Sequence, residues 1–364
     1  MKPWNNVRGW AGANAAALRL CFRMTVAGLL AYVLAELFTL PRGYWAVFSA
    51  IIIVQTSVGG SVKATIDRVI GTIGGGVAGG AVGYLLPHES VLSLGVALVI
   101  ALVPLTLVAA LWPHYRIAPL TAVIVLLTSG AQQLGLLESA AYRIFEITLG
   151  SFVGLGVSLL LLPARAHGLV ISAAARLLGR LADLLGDWLA VLAGGGDRMR
   201  ITRLQDDIRA GMARLEIVAG EAHQERRTHL TQFDPDPLVL TIFRLRNDVV
   251  MIGRAAAEPL PGPILARLRQ PLEQVSQAAQ CFLRTCADAL RERKNPPALD
   301  AVEQPLAKFI ATIEELRREG ATRALPVENI GRLYALGFAV EQLRQNFVDF
   351  RNRVTECARV DSEA

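Results

Sequence analysis

Residues 44–87 read YWAVFSAIIIVQTSVGGSVKATIDRVIGTIGGGVAGGAVGYLLP, two apolar segments joined by a short basic turn. The first segment, 45–54, runs into the polar step Gln55-Thr56-Ser57 and then Gly59-Gly60; Lys63, Asp67 and Arg68 follow. The second carries glycine at 71, 75, 79 and 83, with more at 74, 76 and 80. Glycine at every fourth position lays a bare groove along one helix face. In lipid such a groove lets a second backbone approach closely, and packing contacts replace the missing hydrophobic drive. In water each of these glycines costs a helix about 0.8–1 kcal/mol relative to alanine. The stretch therefore reads as membrane helix, with Gly71, Gly75, Gly79 and Gly83 as its packing face.

Outward from this stretch the chain divides by charge. Of its 364 residues 53% are hydrophobic. Residues 1–163 carry few charges, whereas most of the 37 Lys+Arg and 31 Asp+Glu lie in 164–364. The expected division is a cytoplasmic N-terminal segment over 1–18, a membrane domain over 19–163 and a soluble helical domain over 164–364. The even mixing of signs in the last part argues against a nucleic-acid surface. Cys21, Cys281, Cys286 and Cys357 fit no metal-ligand spacing and read as buried or inert thiols. The basic N-terminus before an apolar run resembles a signal sequence. It has no small-residue cleavage site, and it reads as a retained first span.

Six spans are expected, at 20–40, 44–56, 69–86, 91–112, 117–128 and 141–162. The fourth carries no charge and is long enough to cross, with Pro104 inside it. The second and fifth fall short of the ~20 residues that crossing requires and need their polar continuations. With the N-terminus inside, Lys2, Arg8, Arg19, Arg23, Lys63, Arg68, Arg116 and Arg165 lie at cytoplasmic ends, and only Arg42 and Arg143 fall outside. This satisfies the positive-inside rule and makes both termini cytoplasmic.

A repeat crosses the membrane part. Thr56-Ser57 recurs as Thr128-Ser129, and Arg68, Gly75 and Gly79 recur as Arg143, Gly150 and Gly154. Three spans per half is an odd number, so the halves face opposite ways. That is the inverted layout of many secondary transporters, in which paired short helices mark the binding site. The expected fold is an all-α membrane protein of two inverted three-helix halves followed by a cytosolic helical bundle. In that bundle, helices are expected at 165–193, 198–230, 236–257, 262–293, 298–319 and 327–358, separated by glycine and proline breakers such as Gly194-Gly195-Gly196 and Asn295-Pro296-Pro297.

No catalytic motif, cofactor motif or metal site is evident: there is no HExxH, no Walker A loop and no GxSxG. The reading is that of a non-enzyme. Arg68 is either a positive-inside anchor or an anion contact near the cytoplasmic mouth. Arg143 and Glu146, three apart on one helix face, are either a structural ion pair or a substrate or proton-coupling site, since a carboxylate deep in lipid needs a partner. Gln55, Thr56, Ser57, Thr128 and Ser129 are either ordinary helix ends or a polar site shared near the midplane. The glycines, including Gly150 and Gly154, read as packing. The substrate path drawn from these residues runs from Arg68 past the two Thr-Ser steps to Arg143.

The segment YWAVFSAIIIVQTSVGGSVKATIDRVIGTIGGG, with the weaker RIFEITLGSFVG, resembles the fusaric acid resistance family of bacterial inner-membrane proteins. That group includes aromatic acid exporters and is similar to plant aluminium-activated malate transporters. Arg68, Gly71, Thr72 and Gly75 carry the most specific part of the pattern. The resemblance implies export of small organic anions, typically aromatic carboxylates, and in some relatives a periplasmic adaptor protein. Many relatives carry two membrane units in one chain and this chain has one, which makes a homodimer in membrane lipid the expected assembly. The alternatives are an organic-anion channel of the malate-transporter kind, or a non-transporting envelope scaffold whose bundle recruits partners.

Overall fold

The computed structural model describes residues 15–86, 90–129, 136–163, 165–323 and 325–360. The remaining residues, including most of the expected N-terminal segment, lie outside the described part. The described chain is all-helical with no strand. It divides into two compact units, Met1–Ala166 and His167–Ala364.

The first unit holds α1 (Ala15–Leu37), α2 (Tyr44–Ile53), α3 (Val58–Leu85), α4 (Val91–Leu111), a 3-10 turn at Pro113–Tyr115, α5 (Ala118–Ser129) and α6 (Leu136–Leu160). Among the described residues three stretches are long and apolar enough to cross a membrane: Ala16–Leu37, Val91–Leu111 and Glu138–Leu160. The shorter apolar stretches are Tyr44–Ile53 and Pro113–Leu127. α4 runs through Pro104 without a break. The basic turn expected between the second and third spans is instead part of a helix. α3 begins at Val58, so Lys63, Asp67 and Arg68 lie within it. The cause is a cap: Ser57 Oγ accepts from the Gly60 N–H at 2.9 Å, which starts the helix directly through Gly59-Gly60.

Two long helices form the centre of this unit. α3 and α6 are antiparallel: Ser61 bonds Ser158 at 3.1 Å, a Cβ on Gly76 would lie 3.0 Å from Ile144, and one on Gly80 would lie 3.9 Å from Ala140. The short helices pack on the two long ones. A Cβ on Gly75 would overlap the Ala118 carbonyl, and one on Gly79 would lie 2.8 Å from Ala122 Cα. In the same way a Cβ on Gly150 would overlap the Ala46 carbonyl, and one on Gly154 would lie 2.6 Å from the Ala50 carbonyl. Thus α5 runs parallel to α3 and α2 runs parallel to α6, glycine against alanine in both cases. Gly71 meets Ile117 at 3.0 Å in the same groove, and Gly83 is buried further along it. The remaining neighbours match in pairs: α1 packs on α2 as α4 packs on α5, and α1 touches α6 as α4 touches α3.

The second unit holds α7 (Ala166–Leu192), α8 (Arg198–Arg227), α9 (Asp236–Ala255), α10 (Gly262–Glu292), α11 (Asp300–Arg318) and α12 (Val327–Val360). Leu177, Leu178, Leu181 and Leu185 bury one stripe of α7, and Phe309 on α11 with Phe347 and Phe350 on α12 are fully buried. Cys286 and Cys357 are buried, whereas Cys21 and Cys281 are exposed, so the expectation of buried thiols holds for half of them. Burial pushes the Cys286 thiol up to about 12, which leaves it inert.

Candidate functional site

The packing of the short helices sets the geometry. α2 lies beside α6 from Gly150 onward and α5 lies beside α3 from Gly75 onward. Each therefore flanks only the C-terminal part of the long helix it packs on. Their N-terminal ends fall near the middle of the central pair, and from there they run apart in opposite directions. A helix N-terminus carries about half a positive charge, so two such ends near mid-height make that level favourable to an anion.

The buried charges lie on either side of this level. Arg68 is 9% exposed, Arg143 4% and Glu146 1%. Arg68 Nε donates to the buried Ser49 hydroxyl at 3.2 Å. The Arg143 guanidinium lies 3.4 Å over the Trp45 ring in the first turn of α2. Trp45 in turn packs against Tyr44 and Phe48, with ring centroids 5.4 and 5.7 Å away. Glu146 Oε1 accepts the backbone N–H of Arg42 at 2.9 Å, in the connection between α1 and α2. Arg143 Nε and Nη1 have no hydrogen-bond partner. Of the readings of Arg143 and Glu146, no close ion pair is formed: the carboxylate is tied to backbone, and the guanidinium stacks on Trp45 with Nε and Nη1 unpartnered.

Arg68 and Arg143 do not sit at opposite mouths. The register of Gly76 against Ile144 sets Arg143 about 13 Å along α3 from Arg68 at 1.5 Å per residue. They lie within electrostatic reach of each other and of Arg42. The two Thr-Ser steps, in contrast, are kept apart. Ser57 caps the start of α3, with Gln55 and Thr56 exposed beside it. Thr128 and Ser129 end α5, where the backbone is described and the side chains are not. Continuing the Gly79–Ala122 register brings Ser129 level with residue 86, about 40 Å from Ser57 along α3. The path through both Thr-Ser steps is not a single cluster; the compact cluster is Ser49, Trp45, Arg68, Arg143 and Glu146.

Sequence reasoning missed Ser49 and Trp45 as neighbours of the arginines. The available signal was their helix face: Ser49 adjoins Ala46, Ala50 and Ile53, all buried. It also missed a grouping in the second unit, where ligand atoms of His223, Asp234 and Asp236 lie within 4.8 Å of one another. His223 pairs with Asp236 at 2.8 Å and Arg226 with Asp234 at 2.5 Å, so a fixed cation already occupies that group.

Two arginines and one carboxylate leave the mid-height cluster with excess positive charge and open donors. Buried charge without a partner is costly, and an oxyanion placed against Arg143 completes both its charge and its hydrogen bonds. A search of curated proteins found no match to this chain. Residues 30–157, the stretch that carries this cluster, match the family described as fusaric acid resistance protein-like.

Proposed function

We propose that the protein exports small organic anions of the aromatic carboxylate type across the bacterial inner membrane. The observation that carries this reading is Arg143: buried, stacked on Trp45, with Nε and Nη1 lacking partners at the N-terminal end of a half-length helix. A carboxylate fits those donors, and the Tyr44–Trp45–Phe48 group supplies an aromatic wall for the ring attached to it. Arg68 adds positive potential that draws anions inward. Glu146 keeps the cluster from holding an anion too tightly to release it.

The reciprocal glycine–alanine packing supports reading the six helices as two inverted halves. Lysine and arginine placement supports cytoplasmic termini and a cytoplasmic second unit. α4 buries only Ala97 and Ala101, with Val91 92% exposed, which leaves a face for lipid and for a second copy in a homodimer. A periplasmic adaptor protein is the remaining partner in this scheme.

The test is efflux of radiolabelled benzoate from proteoliposomes holding the full chain. Saturable, concentrative flux is expected. Arg143→Gln should lower it by about tenfold or more, the scale of a lost charge-assisted hydrogen bond, with protein amount and monodispersity unchanged. Wild-type flux in both Arg143→Gln and Arg68→Gln would sink the reading. Unitary currents in place of concentrative flux would make the protein a channel.

A further inference from the structure

A third buried arginine stands apart from the mid-height cluster. Arg23, on α1, is 2% exposed. Its Nη2 donates to the Gln55 carbonyl at 3.0 Å, where the chain leaves α2, while its Nε and Nη1 have no partner. Around this point lie buried hydroxyls. The Gln55 N–H donates to Ser61 Oγ at 2.9 Å, Ser61 bonds Ser158 at 3.1 Å, and Ser57 caps α3. Closing off the end of α2 accounts for one of the guanidinium's donors and leaves the rest of a buried charge uncompensated.

The position completes a series. Gln55 precedes the first residue of α3 by three, Arg68 follows it by ten, and Arg143 lies about 13 Å beyond Arg68. Buried cations thus recur beside α3 from its N-terminus to past its middle. The series has one end only: α4, which packs on α5 as α1 packs on α2, holds no charged residue between 91 and 111. Under the orientation proposed above, the charged end is cytoplasmic.

We infer that Arg23 forms a second oxyanion site, which takes the substrate carboxylate on the cytoplasmic side before it passes to Arg68 and Arg143. This inference rests on the transport reading. A lipid phosphate offers the same chemistry. A guanidinium that is nearly fully covered favours a small anion that enters between helices over a headgroup held at the bilayer surface.

Equilibrium binding of radiolabelled benzoate to the full chain tests it, first in phospholipid-free detergent and then in lipid discs with and without phosphatidylglycerol. Wild type should bind two benzoates per chain, and Arg23→Gln and Arg143→Gln one each. Arg23→Gln should also slow flux at limiting benzoate by about tenfold and change the saturated rate less. Two benzoates retained in Arg23→Gln would overturn the site. So would a single wild-type benzoate that Arg143→Gln alone removes, an outcome that leaves the transport reading standing. No benzoate bound by wild type would remove both. Loss of the second benzoate whenever phosphatidylglycerol is present would assign Arg23 to lipid instead. Should Arg23→Gln fail to fold, Arg23→Lys keeps the charge without Nε; it should weaken the second site alone, and unchanged affinity would overturn the inference.

Discussion

The two units make their closest helix contacts with different side chains. In the first, Ala46, Ala50, Ala118 and Ala122 meet facing glycines, beside buried Ile53, Leu126 and Ile147, while Leu29, Leu37, Leu92 and Leu107 are exposed. In the second, Leu178, Leu181, Phe309 and Phe347 are buried and charged residues cover the outside. The charges follow suit. Arg23, Arg143 and Glu146 are buried in the first unit, whereas Arg209–Asp206, Arg318–Glu314 and Arg353–Glu356 are exposed pairs in the second. Both units are helical, so helix formation does not explain the difference; the surrounding solvent does. In lipid a leucine gains little by turning inward, and small residues win because they bring backbones together. In water large apolar side chains must be hidden.

The largest expected effect tests the close contacts. Gly150→Leu places a side chain on the Ala46 carbonyl and should abolish assembly of the first unit. Gly156→Leu, on the same helix with nothing within 4 Å, should be tolerated. Size-exclusion profiles of the two variants check this. Equal yields of monodisperse protein would mean that close packing does not hold the unit together.

Next comes the large-residue core. Phe347→Ala in the second unit should cost about 3–5 kcal/mol through transfer and cavity terms. Leu92→Ala, 82% exposed in the first unit, should cost under about 1 kcal/mol, because lipid is as apolar as leucine. Chemical denaturation in mild detergent measures both. A large loss from Leu92→Ala would show that α4 is covered by protein and would sharpen the dimer reading.

How much of this was visible beforehand follows the same division. In the second unit the breakers fix the boundaries. Helices expected at 198–230, 236–257 and 262–293 occur at Arg198–Arg227, Asp236–Ala255 and Gly262–Glu292, since glycine and proline act locally. In the first unit the glycine groove was visible because its period is local too. The start of α3 was not, because Gly59-Gly60 and the Lys63–Arg68 charges read as a turn unless the Ser57 cap is weighed more heavily. Arg143 and Glu146 were found from their depth in an apolar segment. Arg23 enters the sequence reading only as a charge at a cytoplasmic end, although it lies four and eight residues before Ala27 and Ala31 on the buried face. The Thr-Ser recurrence gives a place in the sequence and not a depth in the fold, and so it did not show that Ser57 and Ser129 lie far apart.

A smaller effect comes from the one strongly shifted carboxyl of the second unit. Asp248, on α9, is buried and accepts Asn346 Nδ2 at 2.6 Å from α12. Burial raises its carboxyl to about 6 against the opposing hydrogen bond. The folded value lies above the unfolded one, so the folded state holds this proton more tightly. The contribution is full below about pH 4 and is lost as pH rises through 6, by about 3 kcal/mol at 1.36 kcal/mol per unit. Asp248→Asn should remove that dependence and leave the unit more stable than wild type at pH 8. Hydrogen exchange of α9 and α12 at pH 5 and pH 8 reads it out; a wild type with the same protection at both values would place Asp248 in contact with water.

The smallest expected effect belongs to the exposed pairs. The side chains of Arg209 and Asp206 are 79% and 64% exposed, and Nη1 lies 3.1 Å from Oδ1 one turn away on α8. In high dielectric the attraction barely exceeds the cost of fixing two long side chains, so Arg209→Ala should change stability by less than about 0.5 kcal/mol. Added salt should reduce even that contribution, because both charges are exposed to screening. Arg143 has the same guanidinium on the same kind of helix, yet its removal should cost flux by an order of magnitude. Water solvates Arg209 and nothing described solvates Arg143, so only the second has unfilled bonds to offer a ligand. The value of the Arg209 experiment lies in its failure. A loss of about 2 kcal/mol or more, far above the exposed-pair range, would mean that α8 is covered in the working protein. The contrast between a lipid-facing unit and a water-facing one would then have to be redrawn around a partner seated there.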